Sequence, residues 1–264
     1  MAYGNRKRNY RKRPRKRSKA KNKQTVAIVK RVLHSQIENK QAFSAVSGIR
    51  VASSMPASIA AGMYRVIPSV SSAISGDNSK VGQQIKPLSL RLGVNAFLNN
   101  LGGNTNSLMY FDLYVFSIKK IKDSILYDSA GVGEVSRFFR PGISGTDTAY
   151  EGRVYDFHKN VNRDVINLYH KKRFKMAPTN LSATGNLDGN WNDNYTQVAI
   201  NYSIPVTKHL AKTLKYTNTT DEQPNNCAIF ATMVVTKADA TISADPSFIG
   251  GTVAFNSTMV YEDA

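Results

Sequence analysis

The chain is poor in cysteine, tryptophan, histidine and long apolar runs, and each shortage excludes something. A single cysteine, Cys227, rules out an intrachain disulfide, so nothing calls for an oxidising compartment. Set in the apolar stretch 227–235, it reads as a small buried hydrophobe. No apolar run approaches the roughly 20 residues a membrane-spanning helix needs, so no membrane insertion is expected. The N-terminus is basic with no apolar stretch behind it, so no secretory signal is expected. The four histidines, His34, His158, His170 and His209, lack metal-ligand spacing, and neither HxxxH nor CxxC occurs. GxSxG, GxxxxGK[ST] and GxGxxG are absent too. Asp156 and Asp164 flank a turn without a partner for acid–base work. Glu262 and Asp263 read as a fraying terminus rather than a cation site. The expectation is a protein with no catalytic constellation, no metal, no cofactor and no enzymatic role.

What the chain does have is positive charge, placed very unevenly. Residues 1–31 hold fourteen of the 36 lysines and arginines, and the first carboxylate is Glu38. The remainder carries 22 basic against 18 acidic residues, a net +4. A nearly neutral domain therefore follows a polycationic arm, which points to a polyanionic partner. Like-charge repulsion and the lack of aliphatic side chains predict that residues 1–23 are disordered until neutralised. Arg6, Lys7, Arg8, Arg11, Lys12, Arg13, Arg15, Lys16, Arg17, Lys19, Lys21 and Lys23 are the candidate phosphate contacts. They need no fixed geometry, because counterion release is independent of sequence, and arginine adds a bidentate fork. Tyr3 and Tyr10 are candidates for stacking on unpaired bases, about 1–3 kcal/mol each where it forms. The stretch 14–21 also suits a host import receptor. Val26, Val29, Leu33 and Ile37 recur at helical spacing, so a short amphipathic helix is expected over 24–38.

From residue 41 onward, short β-rich runs alternate with Gly, Asn, Asp, Ser and Pro. The expected strands lie near 42–53, 84–98, 108–119, 152–157, 165–176, 195–206, 226–237 and 252–261. In the second, Leu88, Leu90 and Leu92 share one face and Ser89 and Arg91 the other. In the third, Met109, Phe111, Leu113, Val115 and Ser117 face one way and Tyr110, Asp112, Tyr114, Phe116 and Ile118 the other. Both faces are largely apolar, so that strand should be covered on both sides. A short helix is expected between 122 and 140. About eight strands without a βαβ rhythm or a 20–50-residue repeat predict two packed antiparallel sheets. Two organisational units follow: residues 1–40 as the basic arm and short helix, residues 41–264 as one β domain. A second basic cluster, Lys171, Lys172, Arg173 and Lys175, interleaves with Tyr169, Phe174 and Met176. On a strand, Lys171, Arg173 and Lys175 project together, either lining a nucleic-acid surface or forming a solvated face.

Residues 63–98 carry Ile67-Pro68, the polar turn Gly76-Asp77-Asn78, Lys80 before Val81-Gly82, and alternating leucines from Ile85 to Leu92. In this order they resemble the coat proteins of small circular single-stranded DNA viruses (circovirus-like, Rep-encoding). The turn is expected to reverse the chain and Gly82 to permit a bend before a core strand. One departure is Lys80, where that family often has arginine. Residues 162–178 resemble the family's strand pair after the long middle loop, 201–216 a lysine-bearing stretch, and 257–264 its aromatic-acidic ending. The resemblance covers most of 63–264 in patches and implies a single jelly roll, self-assembly into an icosahedral shell, and a single-stranded DNA genome. About sixty copies would bring on the order of 840 arm charges, a scale that suits a genome of a few thousand phosphates. It further implies a virion protein that assembles in the host nucleus.

Composition and periodicity alone leave other readings open. A cellular basic-tailed nucleic-acid-binding protein of ribosomal or chromatin type should spread basic and aromatic side chains over its folded domain. A jelly-roll enzyme or lectin should show a convergent His/Glu cluster or an aromatic sugar platform, and the single Trp191 offers little. A small RNA virus coat protein shares both arm and fold, and only the resemblance favours DNA.

Overall fold

A computed structural model of the chain describes residues 23–29, 39–56, 62–73, 76–98, 109–120, 122, 137–140, 156, 158–176, 199–237 and 249–263. The chain divides into two compact units, Met1–Glu38 and Asn39–Ala264. In the first, residues 23–29 form a helix whose seven residues are all exposed. The rest of the helix expected over 24–38, with Leu33 and Ile37, lies outside the described residues.

The second unit is built from strands: β1 (Asn39–Ala52), β2 (Tyr64–Arg65), β3 (Ser71–Ser72), β4 (Ser79–Lys80), β5 (Gln84–Leu98), β6 (Met109–Ile118), β7 (Ile166–Met176), β8 (Ala199–Pro205), β9 (Leu214–Lys215), β10 (Phe230–Lys237) and β11 (Ile249–Asp263). One sheet runs β1-β11-β5-β8, with β9 paired to the start of β5, and the other runs β2-β10-β6-β7. Every pairing within these two sheets is antiparallel. Counting only the eight strands of the two main paths in chain order, the sheets read 1-8-3-6 and 2-7-4-5. That alternation of early and late strands is the double Greek key of a jelly roll, so the fold is the expected all-β one.

Two apolar clusters hold it. The first lies between the sheets and includes Leu90, Leu92, Val94, Phe255 and Met259 from one sheet, with Phe111, Leu113, Val115 and Met233 from the other. The second lies on the far side of β6, where Tyr114, Phe116 and Ile118 meet Phe138, Phe139, Val161 and Phe230. β6 is therefore covered on both faces, as its double apolar pattern predicts. The rings of Phe116 and Tyr114 meet Phe138 edge-to-face at 5.0 and 5.3 Å, the arrangement the ring quadrupoles favour. Tyr64 fastens the short β2 to the opposite sheet. Its ring stacks on Phe255 at 5.4 Å, its hydroxyl donates to the Ser44 carbonyl at 2.9 Å, and Ser257 Oγ lies 2.8 Å away. At Gly251 an added Cβ would lie 2.3 Å from the Phe97 carbonyl oxygen, so β11 needs a glycine to lie this close to β5.

Several expectations are corrected. Of the run 152–157 only Asp156 is described, in a 3-10 turn rather than a strand; the eighth sheet strand is Tyr64–Arg65. Leu88 does not share the buried face of Leu90 and Leu92: it is 37 % exposed. Val260 pairs with Ser89 and Tyr261 with Pro87, so Leu88 is the extra residue of a β-bulge and the alternation changes phase there. Residues 162–178 hold one strand, not a pair. The Gly76-Asp77-Asn78 turn does not make a hairpin, because β3 and β4 run parallel. Instead Asn78 covers the edge of β1: its carboxamide exchanges hydrogen bonds of 2.7 and 2.8 Å with the Phe43 backbone. The helix expected between 122 and 140 falls largely outside the described residues.

Candidate nucleic-acid interface

The arm residues Tyr3, Arg6, Lys7, Arg8, Tyr10, Arg11, Lys12, Arg13, Arg15, Lys16, Arg17, Lys19 and Lys21 lie outside the described residues. Lys23 opens the 23–29 helix and is exposed.

The second basic cluster lies on β7, an edge strand. Register places Lys171, Arg173 and Lys175 opposite Tyr114, Asp112 and Tyr110 of β6. Those three cations share one face, as alternation predicts, while Phe174 and Met176 turn to the core between the sheets. Arg173 is not free to meet a ligand. Its Nε and Nη2 donate to the two oxygens of the fully buried Asp112, both at 2.7 Å. Lys171 lies over the Tyr114 ring at 5.3 Å; desolvation lowers its pKa, with Asp112 opposing. A groove lined by Arg140, Lys159, Arg163 and Lys171 continues this face. Asp156 and Asp164 serve it as ion-pair partners rather than as an acid–base pair. Asp156 holds Lys159 at 2.7 Å, and the exposed Asp164 lies 3.9 Å from Arg140.

Lys80, the residue that departs from the resembled pattern, is fully buried. Its ammonium donates to the Thr219 carbonyl and sits 4.6 Å from the centre of the Tyr216 ring. Desolvation lowers its pKa, with Asp221, Asp263 and Glu222 pulling it back. Nearby, the acidic ending is strapped down rather than frayed. Asp263 accepts from Lys40 at 2.8 Å and from the Val81 backbone at 3.0 Å, Glu262 accepts from Lys86 at 2.7 Å, and Tyr261 donates to the Ser79 carbonyl. Lys80 and the residues around it are a structural knot joining β1, β4, β5 and β11.

The remaining candidates have packing roles. His209 stacks on Tyr169 at 4.1 Å and His170 faces Tyr202 at 5.9 Å. Burial lowers both histidine pKa values, with the nearby Lys208 acting in the same sense on each. Cys227 is half-buried against the core, and burial raises its thiol pKa. Among the described residues no group of three or more His, Cys, Asp or Glu side chains converges on a point, and no helix is long and apolar enough to cross a membrane.

One surface has no counterpart in the sequence reading: the face of the β1-β11-β5-β8 sheet turned away from the core. Pairing sets its residues in rows across the strands: Phe43, Thr258, Arg91 and Pro205; then Ala45, Asn256, Gly93 and Ser203; then Ala254, Asn95 and Asn201; then Arg50, Thr252, Phe97 and Ala199. No carboxylate lies in these four rows. Glu262, on the same face, belongs to the far end of β11, where Lys86 pairs with it. Phe43 and Phe97 are 52 % and 51 % exposed, large rings half in water on a face otherwise small or polar. Finding this patch from sequence requires the register of four strands spread over residues 39–263.

No family model matches the chain, and no curated protein matches it. Among solved structures, a Desmodium yellow mottle tymovirus chain aligns over 86 % of this chain and 82 % of its own, with 6 % identity and a TM-score of 0.33. The VP1 of Trichodysplasia spinulosa-associated polyomavirus, in complex with GM1 oligosaccharide, aligns over 85 % and 95 % with 8 % identity and a TM-score of 0.20. At these scores neither carries an argument, and the strand order is what assigns the jelly roll.

Proposed function

We propose that the chain is a viral coat protein that self-assembles into a closed icosahedral shell and packages single-stranded nucleic acid through its arm. The observation that carries this reading is the pairing of a jelly-roll domain of net charge +4 with twelve cations inside residues 6–23. Jelly rolls serve viral shells, lectins and cupins alike; a polycationic arm is what a shell needs to hold a polyanion. The resemblance of 63–98 and three later segments to coat proteins of small circular single-stranded DNA viruses favours DNA, about sixty copies, and assembly in the host nucleus through import signalled by 14–21. The role is structural rather than enzymatic.

Electron microscopy of the purified recombinant protein, with absorbance at 260 and 280 nm and nuclease digestion, tests the reading. Uniform closed particles holding nuclease-protected nucleic acid are expected. Monomers that release nucleic acid steeply with salt would replace it with a cellular basic-tailed binder, and protected RNA alone would move the assignment to an RNA virus coat. Removing residues 1–23 should abolish packaging while the circular dichroism of the β domain persists.

A further inference from the structure

We infer that the outward face of the β1-β11-β5-β8 sheet is a second nucleic-acid contact: unpaired bases of a single strand stack on Phe43 and Phe97 while Arg50 and Arg91 meet its phosphates. The inference rests on the coat-protein reading but uses none of the arm's residues.

The chemistry of the face selects this partner. Two half-exposed phenylalanines forgo burial in rows whose other uncharged residues are Thr, Asn, Ser, Ala, Gly and Pro. An aromatic ring standing on a sheet is a stacking platform, because every base has a π-face. Two guanidiniums with no carboxylate among the four rows complement a polyanion. A second copy laid on this face by a two-fold axis would instead bring arginine toward arginine. Asn95, Asn201 and Asn256 each offer an amide donor and acceptor to base edges. Gly93 seats the Asn256 carboxamide at the centre of the face: a Cβ there would lie 2.2 Å from Asn256 Oδ1 and displace it from β5.

Spacing adds a constraint. Phe43 pairs with Thr258 and Phe97 with Thr252, six residues apart along β11 and on opposite sides of it. At about 3.3 Å per residue and 4.8 Å per strand, the rings stand roughly 20 Å apart. They therefore take separate bases of one strand rather than sandwich a single base. Stacking of this kind tolerates any sequence, which suits a surface that must accept a whole genome.

The test is binding of full-length protein to an oligothymidylate of about twenty residues, at low salt and at about 0.5 M sodium chloride, where counterion release contributes least. The proteins compared are the wild type, F43L/F97L, F43Y/F97Y, and a variant with the Lys and Arg of residues 6–23 changed to Gln. Wild type should still bind measurably at high salt, F43L/F97L about tenfold more weakly there, and F43Y/F97Y as wild type. With 5-iododeoxyuridine in the probe, photo-crosslinks should map to Phe43 and Phe97. Equal high-salt binding by wild type and F43L/F97L, or none by wild type, overturns the platform. Unchanged low-salt binding by the Gln variant overturns the arm reading instead, so the two failures are separable. F43L/F97L that binds normally but no longer forms particles would show the face to be a contact with a second copy, which also overturns the proposal.

Discussion

The central strands of the two sheets, β6 and β11, have opposite surroundings. β6 is buried on both faces, because the chain's own segments 137–140 and 161–166 lie over its outer side. β11 buries Val253, Phe255, Ser257, Met259 and Tyr261 on one face and leaves Thr252, Ala254, Asn256, Thr258 and Val260 half-exposed on the other. The first sheet gains its stability from covering itself twice. Among the described residues the second is covered from one side only. The contrast teaches that the two sheets of one jelly roll are buried unevenly, one on both faces and the other on one.

Substitutions can break or sharpen this contrast. The largest effect is expected at the doubly covered sheet: Phe116→Ala should lower unfolding stability by about 3–5 kcal/mol, through lost burial and the cavity left among Phe138 and Phe230. Equilibrium urea unfolding of unassembled protein measures it. Next, Arg173→Leu removes both 2.7 Å bonds to the buried Asp112 carboxylate, leaving it the Tyr114 hydroxyl at 3.4 Å and the Lys171 charge, and should cost about 2–4 kcal/mol. If Asp112→Leu/Arg173→Leu recovers most of that loss, the pair's charges are the cause.

Smaller effects belong to the other sheet. Burial raises the Tyr261 phenol pKa to about 12, from an ordinary value of 10.0. The unfolded chain ionises first, so this stabilisation is complete below pH 10 and is lost as pH rises from 10 through 12. Burial raises Tyr216 and Tyr64 in the same sense. Tyr261→Phe should cost about 1 kcal/mol at pH 7, through the lost Ser79 contact, and should flatten the alkaline limb of a urea-midpoint profile. Smallest of all, Thr258→Ser or Ala254→Ser on the outward face should change stability by less than about 0.5 kcal/mol. A larger loss would mean that this side is structural after all.

The same contrast governed what could be read from sequence. β5, β6, β7 and β11 were legible because each keeps its alternation, or loses it for the good reason of double cover. β2 was not, since two residues carry no period; its place is set by the hydroxyl and ring of Tyr64. The phase change at Leu88 was hidden because a bulge depends on the partner strand, 170 residues away in sequence. Nothing local in the sequence marks Lys80 as buried, and only the return of Tyr216 and Thr219 encloses it. The arm was legible as composition alone. The Phe43–Phe97 face was illegible because its members become neighbours only through cross-strand register, and a lone phenylalanine in a strand reads as core.

The position of β11 also sets a timetable. Among the described residues β1 pairs only with β11, Asn39 opposite Glu262, and β11 lies between β1 and β5. While the ribosome works toward the far end of the chain, β1 and β5 wait with a gap one strand wide between them. Closure so distant in sequence is slow. The basic residues 1–31 precede β1 in the chain and so leave the ribosome well before β11 does. A polypeptide stalled before β11 would hold β1 and β5 without the strand that joins them.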